Sequence, residues 1–474
     1  MLQKRSSGGH VIVFVFFLLF PLIILPQSLI PDPWADGKFF IMLATALFFA
    51  TQIKLSDFKT PFFLLIIVQL ILYSISCIIS SQESFIYLFG LNNREDGIIY
   101  NTTLSIFVMG IYSYFLRNKI NEQNIYLPLT IVFSMEFIYF VLRLYNIDIV
   151  ALFLTGGGRF PDFVGTFGNY GIFAYFTILC YIIFLVKFFT GDRRFIAPLF
   201  LSVLIIVFTY NRTIIASFLL ANIVFVVFYN KKWWFLLAIA ALVAILVPVR
   251  NFFPANNNLS TGNRSIVSSS TLQTRLAYWG MALDIAQKTP FQPLLGLGNT
   301  GMILGQIRYI DTERIARAYL LEENINEELV DWEKKPSESG IEALGVLYIT
   351  TKTASGQNLT RFFKYNTDRA HNFFLDKTVA GGLVYAIILS IIIFYPIVYF
   401  RRLKHDLLYL VYFLWTVATF AFYMFWFPFL QTEPIFMIVV AIGWAKMQKT
   451  KEARIHLLDS TGNQKIASEG PQNE

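Results

Sequence analysis

Charged residues are scarce in this chain of 474 residues, since only 14% are Asp, Glu, Lys or Arg. Soluble domains carry about 25%, so the composition excludes an ordinary soluble enzyme. Hydrophobic residues make up 56%, and Phe alone occurs 50 times, which also excludes a disordered chain. If each membrane span needs about 20 apolar residues, this share is enough for about a dozen spans. The composition therefore predicts a polytopic α-helical membrane protein.

Cysteine and histidine, the usual ligands of structural zinc, occur only two and four times. Cys77 and Cys180 lie inside apolar runs, so we expect them to pack as small apolar side chains and not to form a disulfide. No Cys/His pair has ligand spacing, and we predict no metal site. The sequence also lacks a P-loop and a G-x-S-x-G elbow, which sets aside ATPase and serine-hydrolase functions. We expect no cofactor and no nucleic acid partner.

Apolar runs with few charges indicate about twelve transmembrane helices. Lipid offers the backbone no hydrogen-bond partners, so these runs should be helical and the fold class all-α. The runs lie near residues 11–30, 38–53, 61–80, 98–116, 126–145, 168–189, 195–210, 213–229, 233–249, 372–400, 407–426 and 430–445.

The runs divide the chain into four parts. Residues 1–249 form a membrane domain with spans 1–9, and residues 371–446 complete it with spans 10–12. Between the ninth and tenth spans lies one long external segment, 250–370, in which we expect amphipathic helices. Residues 447–474 form a cytoplasmic tail that we predict to be disordered.

The distribution of charge predicts the orientation. An even number of spans places both termini on one side, and short basic loops mark the cytoplasmic side. The side that holds the termini has 19 basic and 8 acidic residues, a net charge of +11, out of 38 and 30 in the chain. The remaining residues carry a net charge of −3. Both termini are therefore predicted to be cytoplasmic, which places residues 250–370 on the external face.

The long external segment is unevenly charged. Its acidic residues concentrate in 311–342, which we interpret as a solvated helical face or as a lid that faces an acceptor. Basic stretches on either side meet the membrane, where anionic lipid headgroups lie. Leu272, Leu276 and Trp279 recur at helical spacing, with Arg275 on the same side, and indicate a helix that packs on the membrane domain or, alternatively, a sugar site. The Gly-rich turn at 296–298 reads as a helix stop more than as a phosphate cradle.

Ionisable groups at the ends of spans are functional candidates, because placing a charge in a membrane is costly. Arg212 lies in a very short external turn, where snorkelling to the interface is the alternative. His371 opens the span after the external segment, and its imidazole makes it the best candidate for a general base, with a structural histidine as the alternative. Arg159 follows three glycines in external backbone. Glu136 and Arg143 share one helix face and are candidates for a mutual ion pair.

Four short stretches resemble motifs of the O-antigen ligase and polymerase family of bacterial membrane glycosyltransferases. Together they span about residues 155–430 in the family's order, with Asn211 where the family usually has Ser and an unusually long acidic insertion before the last motif. The stretches are Gly165-Thr-Phe-Gly-Asn, Thr209-Tyr-Asn-Arg-Thr, the Arg-x-x-x-Trp to Gly-x-Gly stretch from Thr274 to Gly298, and Ala370-His-Asn-Phe-Phe-Leu.

The resemblance implies a GT-C-like membrane fold and a glycan donor carried on polyprenyl diphosphate. It also implies inverting attack by an acceptor hydroxyl, without a nucleotide sugar or a required metal. Arg212 and Arg275 match the arginines thought to hold the diphosphate, a role that suits bidentate guanidinium contacts. His371 matches the histidine proposed to activate the acceptor. Arg159 and Asn372 are predicted to bind substrate alongside them.

Several functions remain open within this resemblance. An O-antigen ligase, a repeat-unit polymerase and a protein O-oligosaccharyltransferase share the motifs, so the acceptor is a glycan, a lipid or a protein. A transporter or flippase for a lipid-linked glycan should line a midplane cavity with ionisable groups, whereas Glu136 is the one clear midspan acid. A scaffold that docks a partner through 311–342 is a third alternative. The leading prediction is a ligase-like glycosyltransferase of the bacterial inner membrane, with its site on the periplasmic face.

Overall fold

A computed structural model describes most of the chain. The described residues are 2–26, 32–80, 88–90, 97–119, 121–155, 164–209, 211–229, 269–291, 293–299, 301–322, 325, 327–335, 346–353, 355–364, 369–403, 405–426 and 428–468. Arg159, the predicted span at 233–249 and the predicted boundary at residue 250 lie outside this part of the chain.

The helices of the first half follow the apolar runs closely. They are α1 (Leu2–Leu22), α2 (Asp36–Ala50), α3 (Pro61–Ser80), α4 (Ile98–Arg117), α5 (Gln123–Leu144), α6 (Ile149–Thr155), α7 (Tyr170–Phe189), α8 (Ile196–Thr209) and α9 (Arg212–Phe228). Short 3₁₀ turns at Leu55–Lys59, Gly165–Phe167 and Arg193–Phe195 connect some of them.

The second half mixes helices with one small sheet. Its helices are α10 (Ser269–Lys288), α11 (Gly301–Tyr309), α12 (Thr312–Glu322), α13 (Phe373–Gly381), α14 (Leu383–Phe394), α15 (Phe400–Leu403), α16 (Leu407–Tyr423) and α17 (Glu433–Ser468). A 3₁₀ turn, Tyr395–Tyr399, joins α14 to α15. Helix α17 continues to Ser468, although the sequence predicts disorder after residue 446.

The predicted class of helical membrane protein is confirmed. Five helices in the described part of the chain are long and apolar enough to cross a membrane, namely α3, α4, α5, α7 and the run Leu383–Leu403. Shorter apolar helices lie at Gly8–Leu22, Arg212–Phe228 and Leu407–Tyr423. The full set of about twelve spans remains a prediction.

The prediction of an all-α fold needs one correction, because the external segment, for which the sequence predicts amphipathic helices, also contains a small sheet. Strands β1 (Glu328–Lys335), β2 (Val346–Lys352) and β3 (Asn358–Lys364) form an antiparallel sheet in the order β1-β2-β3. Leu329, Trp332, Leu347 and Ile349 point to one face and pack in a core with residues of α10–α12. Period-two alternation and β-branched residues in β2 favour a strand. The acidic residues of β1 and the bulge between Leu329 and Asp331 made that strand harder to recognise.

Helix α7 lies at the centre of the membrane domain. Its side chains from Gly171 to Val186 are buried, and it packs against α8, α9 and α16. The Trp415 indole donates to the carbonyl oxygen of Leu179 at 2.8 Å, which ties α16 to α7. Cys77 and Cys180 are both fully buried, as expected for packing residues. A rigid centre of this kind holds the ends of the surrounding helices in fixed positions.

Candidate functional site

Two neighbouring aromatic residues after α16 connect the predicted site residues. The ring centroid of Phe425 lies 5.7 Å from the guanidinium carbon of Arg275 and 5.9 Å from the ring of Trp279. The ring of Trp426 lies 6.1 Å from that of His371 and meets it edge-on. We call Phe425 and Trp426 the aromatic bridge. It brings the α10 arginine and the histidine of the last motif to one place.

Arg275 is half-buried on α10, one turn before Trp279. Within the described residues it has neither a hydrogen bond nor a salt bridge. Burial lowers the pKa of its guanidinium; Tyr170 opposes this shift, and the positive charge of Arg212 adds to it. Two arginines thus lie within electrostatic reach of each other. A half-buried guanidinium in this setting is suited to binding an anion.

Arg212 is the exposed first residue of α9, and Asn211 determines how that helix begins. The Asn211 side chain accepts hydrogen bonds from the backbone N–H groups of Thr213 and Ile214, at 3.1 and 3.2 Å. Asn and Ser are both strong N-caps. The departure from the family's usual Ser therefore preserves the turn that presents Arg212.

His371 occupies a strained turn just before α13. Its φ of 53° is uncommon for a non-glycine residue and costs about 1–3 kcal/mol, a strain that concentrates at functional sites. Its ring is partly buried and lies nearly parallel to that of Tyr278, with centroids 6.5 Å apart. Contacts with Tyr278 and the aromatic bridge fix the imidazole from two sides.

Asn372 ties this turn to the aromatic bridge. Its side chain accepts from the N–H groups of Phe374 and Leu375, at 3.1 and 3.2 Å, and so caps α13. Its amide nitrogen donates to the carbonyl oxygen of Met424 at 3.1 Å, next to the bridge. These contacts give Asn372 a structural task; its predicted contact with substrate remains an expectation.

Helix α7 also begins at this site. Asn169 caps it by accepting from the N–H of Gly171 at 2.7 Å. A Cβ atom on Gly171 would lie only 3.0 Å from the Trp426 ring, so the helix start touches the aromatic bridge. Tyr170 lies within electrostatic reach of Arg275. The Gly-Thr-Phe-Gly-Asn motif thus leads directly into the site.

The Gly-rich turn at residues 296–298 is a packing element. The N–H groups of Leu297 and Gly298 donate to the carbonyl oxygens of Val379 and Ala380, both at 2.8 Å. A Cβ atom on Gly296 would lie 2.4 Å from the Val379 oxygen. Because these amides already donate to carbonyl oxygens at the end of α13, they support the expectation that the turn ends a helix and does not bind phosphate.

The predicted ion pair between Glu136 and Arg143 is wrong. Arg143 pairs with Asp148 at 3.3 Å, whereas Glu136 accepts from Thr166. Arg143 and Asp148 approach each other where the chain turns after α5, which helical-face reasoning on α5 alone does not reveal.

Sequence reasoning missed Tyr170, Tyr278, Phe425 and Trp426. One signal was present, since seven of the ten residues in 420–429 are aromatic. An aromatic cluster at the end of a span more often indicates an interfacial belt than a site. Only the tertiary packing shows that two of these rings lie against Arg275 and His371.

The fold and site define a helical membrane protein with one arginine and one histidine against an aromatic bridge and a second arginine within electrostatic reach of the first. Residues 197–326 match the family model described as O-Antigen ligase. The match confirms the resemblance seen in the motifs: over these residues the chain carries a domain of the O-antigen ligase family. It includes Arg212 and Arg275 and ends before His371. Among curated proteins, none matches the chain significantly. The family indicates an enzyme of the ligase or polymerase type, with a lipid-linked glycan and an acceptor as partners. Together with the candidate membrane spans, the family also indicates a location in the bacterial inner membrane.

Proposed function

We propose that the protein is a membrane glycosyltransferase that moves a glycan from a polyprenyl diphosphate carrier to an acceptor hydroxyl. The observation that carries this proposal is Arg275, a half-buried arginine with no counter-ion among the described residues and with Arg212 within electrostatic reach. A half-buried positive charge without a counter-ion among the described residues, with a second guanidinium within electrostatic reach, favours a ligand with more than one negative charge. A diphosphate has that charge and geometry.

The proposed reaction is a single displacement at the anomeric carbon. His371 accepts the proton of the acceptor hydroxyl, and the hydroxyl oxygen attacks from the face opposite the diphosphate, with inversion. The bond between the anomeric carbon and the phosphate oxygen breaks, and its electron pair leaves with the diphosphate. Arg275 and Arg212 stabilise the negative charge that grows there. No metal is required in this scheme, and Arg159 and Asn372 are proposed as further substrate contacts.

The aromatic side chains around the site suit a glycan. Sugar rings pack their apolar faces on aromatic rings, while indole and phenol groups supply hydrogen bonds. The indole nitrogen of Trp279 is buried and has no hydrogen-bond partner in the described part of the chain. A substrate oxygen would supply that partner.

The sidedness of the site also belongs to the proposal. The basic loops favour cytoplasmic termini, and this orientation would put the external segment and the first residues of α7, α9 and α13 on the periplasmic face. A lipid-linked glycan exposed there would reach the site from the outer leaflet. Ligase, polymerase and protein O-oligosaccharyltransferase activities would share this chemistry and differ in acceptor.

The test is transfer by the purified protein reconstituted with a polyprenyl-diphosphate oligosaccharide and candidate acceptors. Mass spectrometry should detect glycan on the acceptor together with released carrier diphosphate, and EDTA should not abolish transfer. Arg275→Ala and His371→Ala should lose most turnover. Arg317→Ala and His405→Ala are matched controls, because both residues are exposed and neither has a ring, hydrogen-bond or ionic contact with the aromatic bridge. Full turnover in Arg275→Ala and His371→Ala would refute the site, and movement of lipid without covalent transfer would indicate the flippase alternative.

A further inference from the structure

Two oppositely charged side chains are buried together in the membrane domain. Lys38 is 0% exposed and Glu136 is 1% exposed. The Lys38 Nζ donates to the carbonyl oxygens of Ile23 and Thr166, at 2.8 and 2.9 Å. A Glu136 carboxylate oxygen accepts from the backbone N–H of Thr166 at 3.2 Å and from its hydroxyl. Both charges therefore converge on one residue of the Gly-Thr-Phe-Gly-Asn motif.

The motif is fitted tightly into this place. Gly165 has a φ of +56°, and a Cβ atom there would lie 2.7 Å from the second carboxylate oxygen of Glu136. The Thr166 hydroxyl also approaches the carbonyl oxygen of Pro21 at 2.8 Å. Gly168 has a φ of +74°, and a Cβ atom there would lie 2.5 Å from the Trp34 ring. Larger residues would push the loop away from Glu136 on α5 and from Trp34, which precedes α2.

The same loop continues into the candidate site without a break. Asn169 caps α7, Tyr170 lies within electrostatic reach of Arg275, and Gly171 touches Trp426. Five residues thus separate Thr166 from the aromatic bridge. Any shift of Thr166 would be passed to the start of α7.

Stability does not account for the buried pair. Desolvating two charges often costs as much as their attraction returns, so the burial of Lys38 and Glu136 around Thr166 is weak evidence for a role in stability. In membrane domains such residues are functional candidates by default. In addition, one oxygen of Glu136 has no hydrogen-bond partner within the described residues. An arrangement that stabilised the fold alone would be expected to satisfy it.

We propose that Lys38, Glu136 and Thr166 form a positioning latch for the transfer site. The latch holds residues 165–169 so that the start of α7 stays against the aromatic bridge and Arg275. This inference rests on the proposed function and adds positioning residues to it, because none of the three touches the reacting atoms.

The first test replaces Thr166 in the reconstituted full-length protein. Thr166→Val keeps the shape and removes the hydroxyl, so kcat per folded molecule should fall about five- to tenfold, the effect of one lost hydrogen bond on a barrier. The KM of the acceptor should not change. Thr166→Ser keeps the hydroxyl and should restore kcat to within about twofold. Thr130→Val is the matched control, because that hydroxyl binds only the Tyr126 carbonyl oxygen of its own helix.

The second test uses glycine. Gly165→Ala should lower kcat at least as far as Thr166→Val, because its Cβ atom displaces the Glu136 carboxylate or the loop. Gly191→Ala is the control for backbone strain, since Gly191 has a φ of +106° with open space around it. Hydrogen exchange of the peptide 164–171, measured without substrate, should quicken in Thr166→Val and Gly165→Ala and remain unchanged in both controls.

The outcomes separate the two proposals. If the wild type transfers glycan and Thr166→Val and Gly165→Ala match it in kcat, the latch is refuted and the transferase function stands. Unchanged hydrogen exchange of 164–171 in both variants also refutes the latch. If the wild type shows no transfer with any lipid-linked glycan, the proposed function fails, and the positioning role fails with it.

Discussion

Arg275→Lys separates the geometry of the arginine from its charge. The guanidinium carbon lies 5.7 Å from the Phe425 ring centroid, and Arg275 has no hydrogen bond or ion pair to any other described residue. Within the protein, the substitution therefore removes little beyond the cation–π contact of Arg275 with Phe425, which is worth about 0.5–1 kcal/mol. The fold should stay intact. The larger consequence falls on the bound diphosphate.

The expected loss of catalytic efficiency follows from the hydrogen bonds that the planar guanidinium group makes to phosphate. An arginine can hold two phosphate oxygens at once, whereas a lysine acts as a point charge. One charge-assisted hydrogen bond is worth about 1.5–3 kcal/mol. Its loss should lower kcat/KM for the donor by about 10- to 150-fold. Because charge grows on the diphosphate as the bond breaks, kcat should fall more than the KM of the donor rises.

The assay is the initial rate of transfer against donor concentration, with thermal unfolding measured on the same samples. Arg317→Lys is the matched control, since Arg317 is exposed on α12 and pairs with Glu313 one turn away. We expect the control to behave as the wild type. If Arg275→Lys transfers within about threefold of the wild type, the fork does not hold the diphosphate, and the central role given to Arg275 is wrong.

Three further predictions concern the helix cap, the external sheet and the Gly-rich turn. Asn211→Asp should keep the α9 cap but place a negative charge beside the arginine site. This charge should lower kcat/KM by about five- to thirtyfold, the equivalent of about 1–2 kcal/mol. Asn211→Ser should match the wild type in the same transfer assay. Hydrogen bonding from Arg361 lowers the pKa of Glu327 to about 2, so this pair stabilises the fold fully above about pH 5 and progressively less as the pH falls towards 2. Thermal unfolding across that range should be less sensitive to acid in Glu327→Gln than in the wild type, and equal sensitivity would contradict the assignment. Gly296→Ala should lower the unfolding temperature, because its Cβ atom would lie 2.4 Å from the Val379 carbonyl oxygen and overpacking costs about 1–3 kcal/mol; an unchanged temperature would show that the turn can move.

The membrane fold was largely predictable, because a helix in lipid must be both long and apolar and the sequence carries that pattern directly. The sheet in the external segment was not. Strand β1 has no clean alternation, because a bulge between Leu329 and Asp331 separates Leu329 from Trp332, and its acidic residues suggested a solvated helix. The strand is stabilised by pairing with β2 and by packing against α12. Strands depend on pairing with their neighbours, which the periodicity of one segment does not show.

The candidate site was predictable only in part, because only some of its residues lie in motifs that are contiguous in sequence. Such motifs contain Arg212, Arg275 and His371. The aromatic bridge comes from a separate helix end, and its contacts with Arg275 and His371 depend on how α16 packs on α7 and α9. Asn211, by contrast, is a departure that local chemistry explains, since its side chain performs the capping that Ser would perform.

The three helices that begin at the site explain how a mostly apolar protein can attract a diphosphate. Helices α7, α9 and α13 are each capped by an asparagine, namely Asn169, Asn211 and Asn372. A helix N-terminus carries about half a positive charge and favours anions. Asparagine satisfies the free N–H groups without adding the negative charge that aspartate would bring. The first turns of α7 and α9 hold no acidic residue, so their positive ends are not cancelled, whereas the first turn of α13 holds Asp376. The arginines therefore act in a field that the backbone already makes positive, and the net charge of +8 need contribute nothing to binding. The neutrality of the α7 and α9 caps, and not only their hydrogen bonds, is therefore a requirement of the site.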